Sequence, residues 1–120
     1  MERIIDVRNG RNLTMLSDFY ELTMGNGYFE NGVSDTIAYF DMYFRKIPDG
    51  GGFAVMAGVD QLIEYLENLT FSKEDIAYLR GKNTFSEGFL SYLENFKFEC
   101  DVWAVPEGTP VFPNEPLVTV

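Results

Sequence analysis

Residues 36–46 alternate between two kinds of side chain, and the sequence directly after them cannot continue a strand. In an extended chain every second side chain lies on the same face, so one face of this segment is apolar and the other is aromatic and polar. The apolar face comprises Ala38, Phe40, Met42 and Phe44. Pro48 then removes a backbone donor, and the glycines at 50–52 permit backbone angles that are closed to other residues. The pattern predicts one strand that ends near Lys46, followed by a break.

A capped helix is predicted before this strand. Asp18, or the serine before it, can accept hydrogen bonds from the first free N–H groups, and Glu21 is placed as in a capping box. The helix is predicted to end near Gly32. Gly25 and Gly27 would each cost the helix about 1 kcal/mol relative to alanine, which indicates close approach of another backbone or a locally irregular turn. Close packing is the preferred explanation.

Three further helices are predicted after the glycine run. The buried stripe of the first is predicted at Val55, Val59, Leu62, Ile63, Leu66 and Leu69. The next begins with Ser72 and Asp75 and ends at Gly81. The last is marked by Ser86, Phe89, Leu90 and Leu93.

The end of the chain changes to short strands, predicted at residues 100–105, 109–112 and 117–120 around a turn at 106–108. Helices and strands together place the chain in the α+β class. Its apolar ending, which has no polar tail, predicts that residues 1–120 form one domain that is truncated at its C-terminal end.

The composition argues against several classes of function. Nine lysines and arginines against nineteen acidic residues give a net charge of −10, which repels nucleic acid and anionic membrane surfaces. No apolar run approaches the roughly 20 residues that span a bilayer, and the N-terminus lacks the layout of a signal peptide. We expect a cytoplasmic chain with no nucleic-acid or membrane partner.

Histidine is absent and Cys100 is the only cysteine. An internal disulfide, a Ser-His-Asp or Cys-His arrangement and a typical zinc site therefore cannot be built within this chain. We assign no catalytic residue and no metal ligand, and we expect residues elsewhere to complete any chemistry.

Three polar residues have both a structural and a functional interpretation. Asp18 suits an N-cap, worth about 1 kcal/mol. Tyr20, in the first helical turn, is by itself more typical of a core tyrosine than of a ring that stacks on a ligand. Arg45, beside Lys46, suits either a solvated strand end or a planar fork of donors for phosphate. The glycines at 50–52 lack the established phosphate-loop patterns, so a tight connection to the following helix is the preferred explanation.

Five segments, taken in order, resemble one enzyme family. They are LSDFYELTM at 16–24, FDMYFRK at 40–46, GGGFA at 50–54, AVPEG at 104–108 and FPNEPL at 112–117. At this spacing they resemble the N-terminal region of nicotinate phosphoribosyltransferase, with serine at position 17 where threonine is usual. The resemblance implies the α+β, helix-and-strand N-terminal domain of a nicotinate/quinolinate phosphoribosyltransferase, whose catalytic α/β barrel is absent from this chain.

The resemblance also implies a reaction and its partners. Enzymes of this family join nicotinate to phosphoribosyl diphosphate, form nicotinate mononucleotide for NAD salvage and couple the reaction to ATP hydrolysis through a phosphorylated histidine. That histidine would lie beyond Val120. ATP and magnesium are therefore implied for the whole enzyme, and neither is expected to bind this fragment alone. A homodimer that shares the site between subunits is also implied.

The substrate-binding residues of the family map onto Tyr20, Asp18 and Arg45. Tyr20 would stack on the nicotinate ring, Asp18 would lie beside it, and Arg45 would approach phosphate across the dimer interface, with a weaker claim for Lys46. Two alternatives stay open: a stand-alone, non-catalytic acidic interaction domain, and a nicotinamide-specific phosphoribosyltransferase.

Overall fold

The structure, a computed structural model, describes residues 12–120. The N-terminal residues on which the signal-peptide prediction depends lie outside this range. Within it, the elements are α1 Phe19–Glu30, β1 Asp41–Met42, β2 Ala54–Val55, α2 Val59–Glu67, α3 Lys73–Gly81, α4 Glu87–Glu94, β3 Trp103–Ala104, β4 Pro110–Val111 and β5 Val118–Thr119. None of the helices in this part of the chain is long and apolar enough to cross a membrane. The predicted α+β class is confirmed.

The chain folds as two compact units. The helical unit comprises the described residues up to 36 together with 65–98, and it contains α1, α3 and α4. The strand unit comprises residues 37–64 and 99–120, and it contains all five of the strands named above. Helix α2 begins in the strand unit and ends in the helical unit.

Local capping starts both α3 and α4. Ser72 Oγ accepts the N–H of Asp75 at 3.1 Å, and the Asp75 carboxylate accepts the N–H of Ser72 at 2.8 Å. Ser86 Oγ accepts the N–H of Phe89 at 3.1 Å. Helix α3 ends at Gly81, as predicted. These predictions are confirmed, and each serine side chain caps an N–H group only three residues further along the chain.

An exposed ion pair joins the end of α3 to the start of α4. Arg80 Nε donates to the two carboxylate oxygens of Glu87 at 2.9 and 3.2 Å. The hydrogen bond from Arg80 lowers the pKa of Glu87. A cation in the last turn and an anion in the first turn also complement the two helix dipoles. Because both side chains lie in solvent, the pair contributes little to stability.

The core of the helical unit lies between α3 and α4. Its buried members are Ile76, Leu79, Phe89, Leu90 and Leu93. Leu22 and Phe29 of α1 pack against this cluster. A Cβ atom added at Gly25 would lie 3.2 Å from the Phe89 ring, whereas one added at Gly27 would meet nothing within 4 Å. The close packing predicted for both glycines is confirmed at Gly25 and wrong at Gly27.

The strand unit contains two small antiparallel sheets. In the first, β5 lies between β1 and β3, and Thr119 is paired with both Asp41 and Trp103. In the second, β2 pairs with β4, and Ala54 lies opposite Val111. The buried residues of this unit are Met56, Val111 and Val118. The pairings of β1 with β5 and of β2 with β4 join segments that are far apart in sequence, whereas β3 and β5 are near neighbours.

A carboxylate from the turn between β3 and β4 caps the start of α2. Glu107 Oε1 accepts the N–H of Gly58 at 2.8 Å and the N–H of Val59 at 2.7 Å. These are free N–H groups at a helix start, where negative charge is favourable. The turn predicted at residues 106–108 is confirmed, since the N–H of Thr109 donates to the carbonyl of Pro106 at 3.3 Å. The sequence did not predict that Glu107 in this turn caps α2, whose first residue lies 48 positions earlier.

The strand predicted at residues 36–46 is regular only at β1. Its partner β5 is equally short, so the ladder has only two paired positions. Backbone hydrogen bonds continue the association on both sides, since Phe40 and Val120 exchange two bonds of 3.0 Å and the N–H of Leu117 donates to the carbonyl of Met42 at 2.8 Å. The prediction was correct for the centre of the segment and too long at its ends.

The helix predicted after the glycine run begins later than expected. Val55 was predicted on its buried stripe but lies in β2, opposite Pro110. Gly58, with φ of +98°, turns the chain before α2 begins at Val59. Ile63, also predicted on the buried stripe, is 46% exposed. The other predicted stripe positions, Val59, Leu62, Leu66 and Leu69, are half-buried.

Candidate functional site

The first turn of α1 carries two of the three predicted substrate-binding residues. Asp18 is the N-cap, with extended backbone angles (φ −73°, ψ 144°), and Tyr20 is the second residue of the helix. The carboxylate of Glu21 accepts the N–H of Asp18 at 3.2 Å, which is one half of a capping box. In the other half, the Asp18 side chain is placed toward the N–H of Glu21 but makes no capping hydrogen bond, and that N–H donates to the backbone carbonyl of Asp18 at 3.2 Å. The N-cap predicted at Asp18 is confirmed, and its side chain is exposed.

Tyr20 projects from the surface of the helical unit. Its side chain is 58% exposed and belongs to neither buried cluster, so the core-tyrosine interpretation is wrong for this structure. The helix beneath it is well anchored. Phe19 packs edge-to-face on Phe85 with ring centroids 5.6 Å apart, and Thr23 Oγ1 donates to the carbonyl of Tyr20 at 3.0 Å. An exposed ring on an anchored helical turn can stack on a flat ligand with little loss of freedom.

Tyr65 of α2 lies within electrostatic range of this turn. Burial, and secondly the negative charge of Glu21, raise the pKa of Tyr65. Both effects disfavour the phenolate, so Tyr65 is a neutral phenol at physiological pH. The negative charge of Glu21 therefore acts on a half-buried phenol of α2.

Arg45 lies in the strand unit, directly after the irregular continuation of β1. The carbonyl of the preceding residue, Phe44, accepts the N–H of Asn114 at 2.8 Å, so the backbone before Arg45 is held to the C-terminal part of the unit. Arg45 and Lys46 are both exposed. Their position gives two cationic side chains at the end of a strand in an acidic protein.

The glycine run connects a strand to a strand. Asp49 and Gly50 have φ of +57° and +65° in a short 3₁₀ turn, and the next element is β2. A Cβ added at Gly51 would lie 2.9 Å from the Ile47 side chain, so a larger residue here would require the Ile47 side chain to move. The preferred explanation, a tight connection, is confirmed, but the element that follows is not a helix. Because no helix starts there, the phosphate-loop alternative loses its basis.

The structure thus places Asp18 and Tyr20 together in one helical turn, and it places Arg45 in the strand unit. The sequence predicted only a capping-box position for Glu21 and only a turn for the segment that contains Glu107. Among residues 12–120, no group of three or more histidine, cysteine, aspartate or glutamate side chains is arranged to hold a metal ion.

Comparison with known proteins identifies the class to which this arrangement belongs. Residues 15–120 match the family described as the nicotinate phosphoribosyltransferase (NAPRTase) N-terminal domain. The chain belongs to this family, and the resemblance found in its motifs is confirmed.

Individual relatives agree with the family match. The chain is 44% identical over 104 residues to nicotinate phosphoribosyltransferase pncB2 of Mycobacterium tuberculosis, which covers 87% of this chain and 22% of that protein. It is 36% identical over 108 residues to nicotinate phosphoribosyltransferase of Bacillus subtilis, covering 90% of this chain and 22% of that protein. The structure is similar to human nicotinic acid phosphoribosyltransferase with a TM-score of 0.74 at 30% identity, over 86% of this chain and 21% of the human chain. The chain therefore spans about a fifth of the length of these relatives.

Proposed function

We propose that this chain is the N-terminal, substrate-positioning part of an enzyme that forms nicotinate mononucleotide from nicotinate and phosphoribosyl diphosphate. The observation that carries the proposal is the family match over residues 15–120, together with relatives that bear the name of this enzyme. The exposed ring of Tyr20 supports it, because a helical turn that presents an aromatic face suits a flat pyridine ring.

In this reaction the ring nitrogen of nicotinate forms a bond to the anomeric carbon of the ribose, and the bond from that carbon to pyrophosphate breaks. The transition state resembles a ribosyl cation. The rate of the reaction therefore depends on electrostatic stabilisation of this state and on holding the ring in line with the anomeric carbon. Tyr20 would supply position by stacking, and it would not act as an acid or base. Asp18 would lie beside the ring without binding the nicotinate carboxylate, because two carboxylates repel each other.

Arg45 is the proposed phosphate contact. Its guanidinium carries a planar set of donors that can bind two phosphate oxygens at once, and phosphoribosyl diphosphate requires several such partners. Lys46 is a weaker candidate, since its ammonium group acts as a point charge. We further propose a cytoplasmic homodimer in which Arg45 serves the site of the other subunit.

We propose that ATP and magnesium act through residues outside this chain. It contains no histidine that could be phosphorylated, and the described residues present no cluster of metal ligands. Any coupling to ATP hydrolysis through a phosphorylated histidine would therefore require residues outside this chain.

Replacing Tyr20 in the full-length protein tests the proposal. We expect Tyr20→Ala to raise the Michaelis constant for nicotinate by roughly two- to tenfold, the equivalent of one lost aromatic contact. The Michaelis constant for phosphoribosyl diphosphate should stay unchanged, and Tyr20→Phe should retain most of the affinity because it keeps the ring. The measurement is steady-state kinetics with each substrate varied in turn.

Tyr28→Ala is the matched control, because Tyr28 lies in the same helix and is 52% exposed. It should leave both Michaelis constants unchanged. Equal kinetics for Tyr20→Ala and the wild type would remove Tyr20 from the site. Competition between nicotinate and nicotinamide in the wild type separates an acid-specific from an amide-specific enzyme. A wild type that turns over neither pyridine would favour the non-catalytic interaction domain.

A further inference from the structure

The first turn of α1 carries a carboxylate that the proposed site does not use. Glu21 follows Tyr20 directly and is exposed, yet its side chain turns back along the helix toward the N-cap. We propose that Glu21 is a positioning residue that holds the turn carrying Asp18 and Tyr20 in the orientation that nicotinate requires. This inference rests on the proposed function and adds a residue to it.

A hydrogen bond to the N-cap carries the inference. The Glu21 carboxylate accepts the N–H of Asp18 at 3.2 Å. This N–H precedes the helix and has no intrahelical partner, so without Glu21 it would have to be satisfied by water. The bond fixes the backbone at Asp18, where the chain enters the helix. Both proposed ligand contacts of this turn therefore depend on an interaction that Glu21 makes.

The opposite side of the same turn is anchored by apolar contacts. Phe19 packs on Phe85, and Leu22 packs against the buried cluster of α3 and α4. These contacts hold the helix, and the carbonyl of Asp18 accepts the N–H of Glu21 at 3.2 Å. Neither apolar contact involves the N-cap, whose own N–H is held by the Glu21 side chain. The charge of Glu21 also acts on Tyr65 of α2.

Glu21 acts through its acceptor oxygen, and its charge is a disadvantage. Nicotinate and phosphoribosyl diphosphate are both anions, so a carboxylate close to the pyridine ring repels them. Glutamine has the same length and keeps an acceptor oxygen for the N–H of Asp18. Glu21→Gln removes the charge but keeps the acceptor, whereas Glu21→Ala removes both. Glu21→Gln should therefore preserve function and Glu21→Ala should not.

Kinetics of the full-length protein provide the first test. We expect Glu21→Ala to raise the Michaelis constant for nicotinate roughly fivefold, the loss expected for one capping interaction of about 1 kcal/mol, with kcat almost unchanged. Glu21→Gln should restore the wild-type value to within about twofold. The matched control is Glu30→Ala, which removes another hydrogen-bonded carboxylate from α1, the partner of Ser86 Oγ, far along the helix from Asp18. The control should leave the Michaelis constant unchanged.

Hydrogen exchange provides a second test that does not require catalysis. Peptides that span residues 15–24 should exchange faster in Glu21→Ala than in the wild type, Glu21→Gln or Glu30→Ala. The pKa of Tyr65, followed by its ultraviolet absorption, should fall in both Glu21 variants toward the ordinary tyrosine value, while burial keeps it raised.

The outcomes of the two tests distinguish failure of the positioning role from failure of the proposed function. If Glu21→Ala exchanges like the wild type, or if its Michaelis constant equals that of the Glu30→Ala control, the positioning role is overturned. If Glu21→Gln is as impaired as Glu21→Ala, the charge of Glu21 is required and the acceptor mechanism is overturned. If the wild type does not turn over nicotinate, the proposed function fails, while faster exchange in Glu21→Ala would still support Glu21 as the residue that holds this turn.

Discussion

The helical unit and the strand unit build their cores from different kinds of contact. Among the described residues of the helical unit, the buried apolar side chains come from α3 and α4, two neighbouring helices. In the strand unit Met56 is buried together with Val111 and Val118 from the C-terminal segment, and Asp41 bonds to Thr119 across 78 residues. Both units expose large apolar side chains, among them Ile37 at 83% in the strand unit and Leu16 at 79% in the helical unit. Neighbouring helices therefore supply the buried apolar core of the helical unit, and α1 is joined to it by longer-range contacts such as Phe19 on Phe85. The core of the strand unit itself depends on long-range pairing.

The largest effect should come from the core of the helical unit. Leu79 is fully buried, and Leu79→Ala leaves a cavity between helices that cannot collapse freely. We expect a loss of about 2–5 kcal/mol in the free energy of unfolding of the 120-residue chain, measured by urea denaturation. Leu16→Ala is the matched control, because Leu16 belongs to the same unit and is 79% exposed. It should change the free energy by less than about 0.5 kcal/mol. Similar values for the two variants would contradict a closed helical core.

A smaller effect should come from the long-range cap of the strand unit. Glu107→Ala leaves the N–H groups of Gly58 and Val59 without their carboxylate partner. We expect a loss of about 1–2 kcal/mol, because the cap is charged but exposed to water. Hydrogen exchange should increase at the start of α2 and stay unchanged in α3. Glu107→Gln should retain part of the stability, since one acceptor remains while the attraction to the helix dipole is lost.

An exchange increase that spreads through α3 would show that the two units do not respond separately. That result would contradict the separate behaviour of the two units, because it would make a strand-unit cap essential to the helical core. An increase confined to α2 would locate the effect of Glu107 at the helix that it caps.

The same distinction decides how much of the molecule could be predicted from its sequence. The starts of α3 and α4 were predicted because Ser72 and Ser86 bond to N–H groups three residues away. Val55 was wrongly predicted in a helix. It lies in β2, and its pairing partner lies in β4, which no local sequence pattern reveals. The capping role of Glu107 was missed for the same reason. Its only sequence signal is a carboxylate within a turn.

The features of the candidate site also differ in whether local sequence could predict them. The N-cap at Asp18 could be predicted because it depends on the residues immediately around it. The exposure of Tyr20 could not, since helical spacing alone does not say which face of α1 the other helices cover. Only the family resemblance favoured a surface role for Tyr20. The role of Tyr20 in binding stays a prediction, as do those of Asp18 and Arg45.

The smallest expected effect separates local from tertiary contributions within α1 itself. Gly25 and Gly27 occupy the same helix, so alanine should gain up to about 1 kcal/mol of helix stability at either position. At Gly27 the new methyl group meets nothing within 4 Å, and we expect Gly27→Ala to stabilise the chain by about that amount. At Gly25 the methyl group would lie 3.2 Å from the Phe89 ring.

The Phe89 ring cannot easily move away from Gly25. It is 4% exposed, and it stacks against Phe85 and Tyr92 with centroid separations of 6.0 and 6.3 Å. The crowding should cancel the gain in helix propensity, so Gly25→Ala should be neutral or destabilising, about 1 kcal/mol below Gly27→Ala in urea denaturation. Equal stabilisation by both substitutions would mean that α1 can shift on the core. The orientation of the turn that carries Tyr20 would then depend on the polar contacts at its N-terminus more than on the packing of its glycines.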